Sequence, residues 1–175
     1  MKEKEMIGKG KLDENGRRLT SLSDDDCRKL IENCDEHLRP IVVTALNSGM
    51  RVSEILNLRW ESVDLKQGFI LLDHTDAINS KRREIPINLT LKQCLSELLS
   101  GTKERPRRID MPYVFGDPVT GKPYENMKES FASACKRAGI EGFRFHDLRN
   151  TFANLLVKDG VSLFTMKELL GHKNP

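Results

Sequence analysis

The sequence predicts a mainly α-helical domain carrying one small antiparallel β-sheet, an α+β arrangement. Two observations support this. Apolar residues recur at helical spacing toward both ends of the chain, in segments opened by Ser, Asp or Pro and closed by Gly. Between them lie two short apolar runs, residues 69–73 (FILLD) and 83–87 (REIPI), joined by a polar stretch. With 175 residues the chain is long enough for one domain with a sizeable core. No internal repeat is visible.

Residues 1–18 are polar and lack apolar periodicity, so they read as a tail or inter-domain linker, with the domain proper spanning 19–175. Ser23 followed by Asp24, Asp25 and Asp26 predicts a capped helix running to about Asn33, with the acids on the positive end of its dipole. A second helix opens near Pro40, turns Ile41, Val42, Ala45 and Leu46 inward, and stops at Gly49. A short helical turn over 53–58 follows, with Ile55, Leu56 and Trp60 as core contacts. The runs at 69–73 and 83–87 predict a hairpin with a long projecting turn over 74–82, and residues 63–65 are a candidate third strand. Further helices are expected near 91–99, 125–138, 147–158 and 163–170.

Composition narrows the class. Hydrophobic residues make up 38% and charged residues 31%, as in a soluble protein with a well-solvated surface. No apolar run approaches the length of a membrane span, and the opening MKEKEMIGKGK lacks the hydrophobic stretch of a secretory signal. Cys27, Cys34, Cys94 and Cys135 show no paired short spacing, so neither a zinc ribbon nor a disulfide framework is suggested. Reduced structural thiols in a cytoplasmic protein fit best. The net charge of +3 is only mildly basic, but positive charge is concentrated in residues 103–108 (KERPRR) and in Lys81, Arg82 and Arg83. Taken alone, each run reads as a solvated loop.

Three places carry residues suited to phosphate chemistry. In FHDLR, Leu148, Phe152 and Leu155 share one helix face while His146, Arg149 and Ala153 lie on another, so imidazole and guanidinium are expected to project together. A guanidinium makes two parallel bonds to phosphate oxygens, and an imidazole moves protons near neutral pH. Arg51 follows the helix-ending Gly49, and Glu54 is placed to hold it in an ion pair. His172 follows a helix-stopping glycine, Gly171, where a simple C-terminal cap is the plainer reading. Each item is unexceptional in isolation.

Taken in order, SGMRVSEILNLRW, a basic strand–turn–strand, FHDLRNTFANLLVKDGV and MKELLGHKNP resemble the catalytic domain of the tyrosine recombinase (phage integrase) family, from about Leu19 to the last residue. The resemblance implies a pocket for one scissile phosphate of double-stranded DNA. Arg51 and Arg149 would neutralise its non-bridging oxygens, and Glu54 would support Arg51. His146 would assist proton transfer and His172 would donate a hydrogen bond. It implies no metal or other cofactor, a covalent 3′-phosphotyrosine intermediate, and a full-length protein acting as a homo-oligomer on DNA. Lys81, Arg82 and Arg83 become DNA-contacting candidates.

Two departures qualify the resemblance. The general-acid lysine belongs in the hairpin turn, yet the family spacing counted back from Pro86 falls on Ile78, which leaves Lys81 as the candidate if a longer loop re-aims it. The attacking tyrosine belongs beyond Pro175. Tyr113 and Tyr124 read as core or loop aromatics, so the chain is expected to be inactive as written. Asn150 stands where the family often has a histidine, a position suited to tuning packing. The alternative function is a non-catalytic DNA-binding or regulatory module. A third reading, a helical scaffold or metabolic enzyme, requires Arg51, His146 and Arg149 to be unrelated in space.

Overall fold

The computed structural model describes residues 21–72, 82–101 and 110–171. The expected tail, nearly all of the hairpin turn with Lys81, the basic run at 103–108 and His172 lie outside these residues. In chain order the elements are α1 (Asp24–Glu32), α2 (Arg39–Ser48), α3 (Val52–Leu56), a 3-10 turn (Trp60–Ser62), β1 (Val63–Asp64), β2 (Phe69–Leu72), β3 (Arg83–Pro86), α4 (Leu89–Ser100), α5 (Lys128–Arg137), α6 (Asp147–Lys158) and α7 (Leu163–Leu170). The expected α+β class is the observed one.

Helix α2 is the hub. Ile41, Val42, Val43, Thr44, Ala45, Leu46 and Ser48 are all buried, so the helix is covered nearly all round, and α4 and α6 pack on it. Its two buried hydroxyls do not burden the core, because Thr44 Oγ1 donates to the Pro40 carbonyl at 2.8 Å and Ser48 Oγ to the Thr44 carbonyl at 2.6 Å. Leu30, Ile55, Leu91, Leu95 and Leu148, all essentially inaccessible, surround it from α1, α3, α4 and α6. Thr151 ties the N-terminal end to α6: its hydroxyl accepts the Leu22 amide at 3.1 Å and donates to the Asp147 carbonyl at 3.1 Å.

Helix starts follow their caps. Ser23 accepts the Asp26 amide with three acids in the first turn, as expected for α1. Helix α4 begins earlier than the apolar spacing suggested, because Asn88 caps it by accepting the Leu91 amide at 2.9 Å. Helix α5 begins later than expected, at Lys128, whose amide is held by the Asn126 side chain at 2.8 Å.

The sheet is antiparallel in the order β1-β2-β3, with Ile70 opposite Ile85 and Leu72 opposite Arg83. Side chains alternate across a strand, so Arg83 shares the inward face with the buried Ile85, while Glu84 and Pro86 face out. One pairing had no sequence signal. The segment around Arg59 runs beside Tyr113, with Trp60 N–H donating to the Pro112 carbonyl and Val114 N–H to the Leu58 carbonyl. Trp60 thereby opens the 3-10 turn and packs half-buried against the core.

Candidate active site

Three helix termini and one strand meet at the site. Helix α2 ends in Gly49, whose left-handed φ of 61° turns the chain into Met50, a buried anchor, and then Arg51. Arg51 is the extended residue that opens α3. Glu54, one turn on, folds back in a capping arrangement: Oε2 accepts the Arg51 amide at 2.7 Å while Oε1 lies 3.1 Å from Arg51 Nη1. The expected Arg51–Glu54 ion pair is therefore present.

A second guanidinium reaches the same carboxylate. Arg83 Nη2 lies 2.8 Å from Glu54 Oε2, in a pair whose side chains are only 8% and 9% exposed. Arg83 Nε donates to the Leu169 carbonyl in the last turn of α7 at 3.2 Å. Arg83 was expected, with Lys81 and Arg82, to contact DNA from a basic loop. The structure instead directs it inward, because it shares a strand face with Ile85.

Arg149 is the third. It is buried on α6, so the expected separation of an apolar anchor face from a polar His146–Arg149 face does not hold: the guanidinium points into the fold. Its Nη1 donates to the Gly49 carbonyl at 2.6 Å, and its Nη2 donates to the carbonyl of Leu170. Burial, followed by the charges of Arg51 and Arg83, pulls its pKa down to about 10, with Glu54 opposing. It remains a cation at neutral pH. For Glu54, burial acts upward, but the Arg83 hydrogen bond, the Arg51 amide and the two guanidinium charges outweigh it and hold the carboxyl below its ordinary range.

The result is two guanidinium groups paired with one carboxylate and a third close enough to feel all three charges, a local excess of positive charge in which Arg83 and Arg149 are buried and Arg51 is open to solvent on one side. Such a place attracts an anion, and planar guanidinium forks suit a phosphate diester. Each guanidinium has five N–H donors, more than Arg51 or Arg149 uses in bonds among the described residues. The reading in which Arg51 and Arg149 are unrelated in space is excluded, since Arg149 bonds the residue two before Arg51 and feels its charge.

Comparison with known proteins matches this architecture. The sequence profile of the phage integrase family covers residues 20–175. The chain belongs to the phage integrase family. It is similar to the integrase of Salmonella phage P22, at 30% identity over 162 residues, 89% of this chain and 41% of that relative. The crystal structure of XerA recombinase superposes with a TM-score of 0.76 at 25% identity, covering 88% of this chain and 56% of that one. The catalytic domain of bacteriophage HP1 integrase gives 0.64 at 30% identity, covering 90% and 83%. The chain spans about half the length of the curated relatives it matches, from 41% to 53% in the examples of phage P22 and the XerA of Pyrococcus horikoshii.

The remaining expected residues fall as follows. His146 is exposed at the start of α6, three residues before Arg149, and its imidazole makes no hydrogen bond or ion pair among the described residues. Arg82 is exposed. Tyr113 lies beneath the Arg59 guanidinium, 5.5 Å from carbon to ring centroid, and Tyr124 packs half-buried against the core beside His37. Both rings thus make contacts with neighbouring side chains. All four cysteines are free thiols, and burial pushes Cys27, Cys34 and Cys94 up to about 11 and Cys135 to about 12. Among the described residues no helix is long and apolar enough to cross a membrane.

Proposed function

We propose that this chain is the phosphate-gripping catalytic part of a site-specific DNA recombinase or integrase. The observation that supports this best is the meeting of Arg51, Arg83 and Arg149 around the single carboxylate of Glu54. In this reading Arg51 and Arg149 bind the non-bridging oxygens of one phosphodiester of duplex DNA. Their charge is worth most as the phosphorus becomes five-coordinate and its oxygens gain negative charge, because the cations are already in place and need no reorganisation. His146 transfers a proton beside them, Lys81 serves as the general acid, and His172 adds a hydrogen bond. Lys81 and Arg82 on the hairpin side add contacts to the DNA backbone. The whole protein breaks and rejoins strands through a 3′-phosphotyrosine, working as a homo-oligomer on DNA.

The test is fluorescence anisotropy with a labelled duplex of about thirty base pairs, roughly three helical turns. Binding is expected at low salt and should weaken linearly in log–log form as salt rises. Each arginine removed should lower the slope by about 0.9. Absence of binding at low salt, or binding undiminished in a folded Arg51→Ala, Arg149→Ala double variant, would overturn the proposal.

A further inference from the structure

The internal arginine of β3 has a task distinct from holding an anion. We infer that Arg83 is a positioning residue: through Glu54 it sets the geometry of Arg51, and through the Leu169 carbonyl it seats the C-terminal end of α7 against the same site. The inference deepens the DNA reading, on which only its affinity arm depends.

The geometry places one guanidinium between two structures, Glu54 with Arg51 on one side and the end of α7 on the other. On one side Nη2 holds Glu54 Oε2 at 2.8 Å, and Glu54 in turn fixes the amide and the guanidinium of Arg51. On the other, Nε holds Leu169. The flat group lies against Gly171, where an added Cβ would stand 3.0 Å from Arg83 Nη1 and 3.2 Å from Cζ. A planar fork with donors on two edges can serve both partners at once, whereas an ammonium is a single point charge and cannot. The strand register leaves little choice, since Arg83 stands opposite Leu72 on the inward face.

Helix α7 depends on this tie. Its one buried residue is Leu170, while Leu163 and Phe164 are 67% and 64% exposed, so its apolar burial is concentrated at its C-terminal end. There Arg83 takes the Leu169 carbonyl and Arg149 takes the Leu170 carbonyl. Two cations thus cover consecutive orphan acceptors at the negative end of the helix dipole. Arg51, held through Glu54, and the end of α7 are consequently set by the same side chain.

Two measurements on the chain decide this, the first with both Arg83→Gln and Arg83→Lys. In amide hydrogen exchange, both variants should exchange faster at the end of α7 and at Arg51, with α2 and α4 unchanged. Lysine should fail to restore protection. Unchanged exchange at these amides in either folded variant overturns the inference, and so does full rescue by lysine. In duplex binding, Arg83→Gln alone should weaken affinity about tenfold but add less than about twofold in an Arg51→Gln background, because one acts through the other. Multiplying effects would refute the link to Arg51. If the unsubstituted chain binds no duplex, the DNA reading fails and the exchange result alone decides the role of Arg83.

Discussion

Gly49 is the position where a single added methyl group should do the most measurable damage. Two separate effects combine there. Its φ of +61° is a conformation that costs an L-residue about 1–2 kcal/mol. In addition, an added Cβ would sit 2.8 Å from Leu170 Cδ2 and Phe152 Cε1, and closer still to Phe152 Cδ1. Phe152 is buried on α6 and Leu170 is the buried residue of α7, so neither can swing into solvent, and overpacking of this kind costs about 1–3 kcal/mol. The Gly49→Ala variant should therefore lose about 2–5 kcal/mol in total. Gly139 supplies the control: its φ is +70°, but an added Cβ meets nothing within 4 Å, so Gly139→Ala isolates the backbone contribution. The two variants should differ by about 1–3 kcal/mol in urea unfolding, or roughly 3–10 °C in Tm for a domain of this size. Equal destabilisation by the two would refute the crowding argument and the close packing of α2, α6 and α7 around the site. The site should register the change too, since the Gly49 carbonyl is the acceptor of Arg149.

Other consequences can be checked in the same preparations. Glu54→Gln leaves Arg83 buried without its counter-charge and should cost about 3–5 kcal/mol in chemical denaturation; a loss under 1 kcal/mol would contradict the assigned pairing. Because Glu54 is held below its ordinary value of 4.5, its contribution is fully present above that value and disappears as pH falls through the folded-state pKa. The stability gap between the parent chain and Glu54→Gln should accordingly narrow on acidification below 4.5, as read by Tm against pH. Asn88→Ala removes both the cap of α4 and the 2.8 Å bond to Asn47, and should cost about 0.5–2 kcal/mol by urea titration. Cys34 and Cys94, pushed up to about 11, should react with iodoacetamide at pH 8 roughly a hundredfold more slowly than ordinary thiols until the chain unfolds; rapid labelling of the native state would contradict their burial.

The sequence by itself determined the elements and their order, because local signals specify them. Ser23 and the three aspartates, Pro40 with Gly49, and the glycine after Leu170 mark helix ends through backbone chemistry that needs no distant partner. Helices α6 and α7 begin and end where the pattern placed them. The Arg51–Glu54 pair was legible for the same reason, being one helical turn apart. The resemblance then ordered Arg51, His146 and Arg149 into one expected pocket.

Only the tertiary structure decided which charges turn inward. Arg83 was hidden in a basic run, although the alternation in Arg83-Glu84-Ile85-Pro86 held the clue: a strand residue two positions from a buried isoleucine faces the core with it. Its partners, Glu54 and Leu169, are 29 and 86 residues away, so no local pattern could name them. Arg149 likewise joined a polar face on the helical wheel, yet the packing of α6 on α2 brings it under the Gly49 carbonyl, 100 residues distant. Long-range contacts of this kind depend on how helices and strands are laid against one another, and a linear pattern records the face of an element but not what that face will meet.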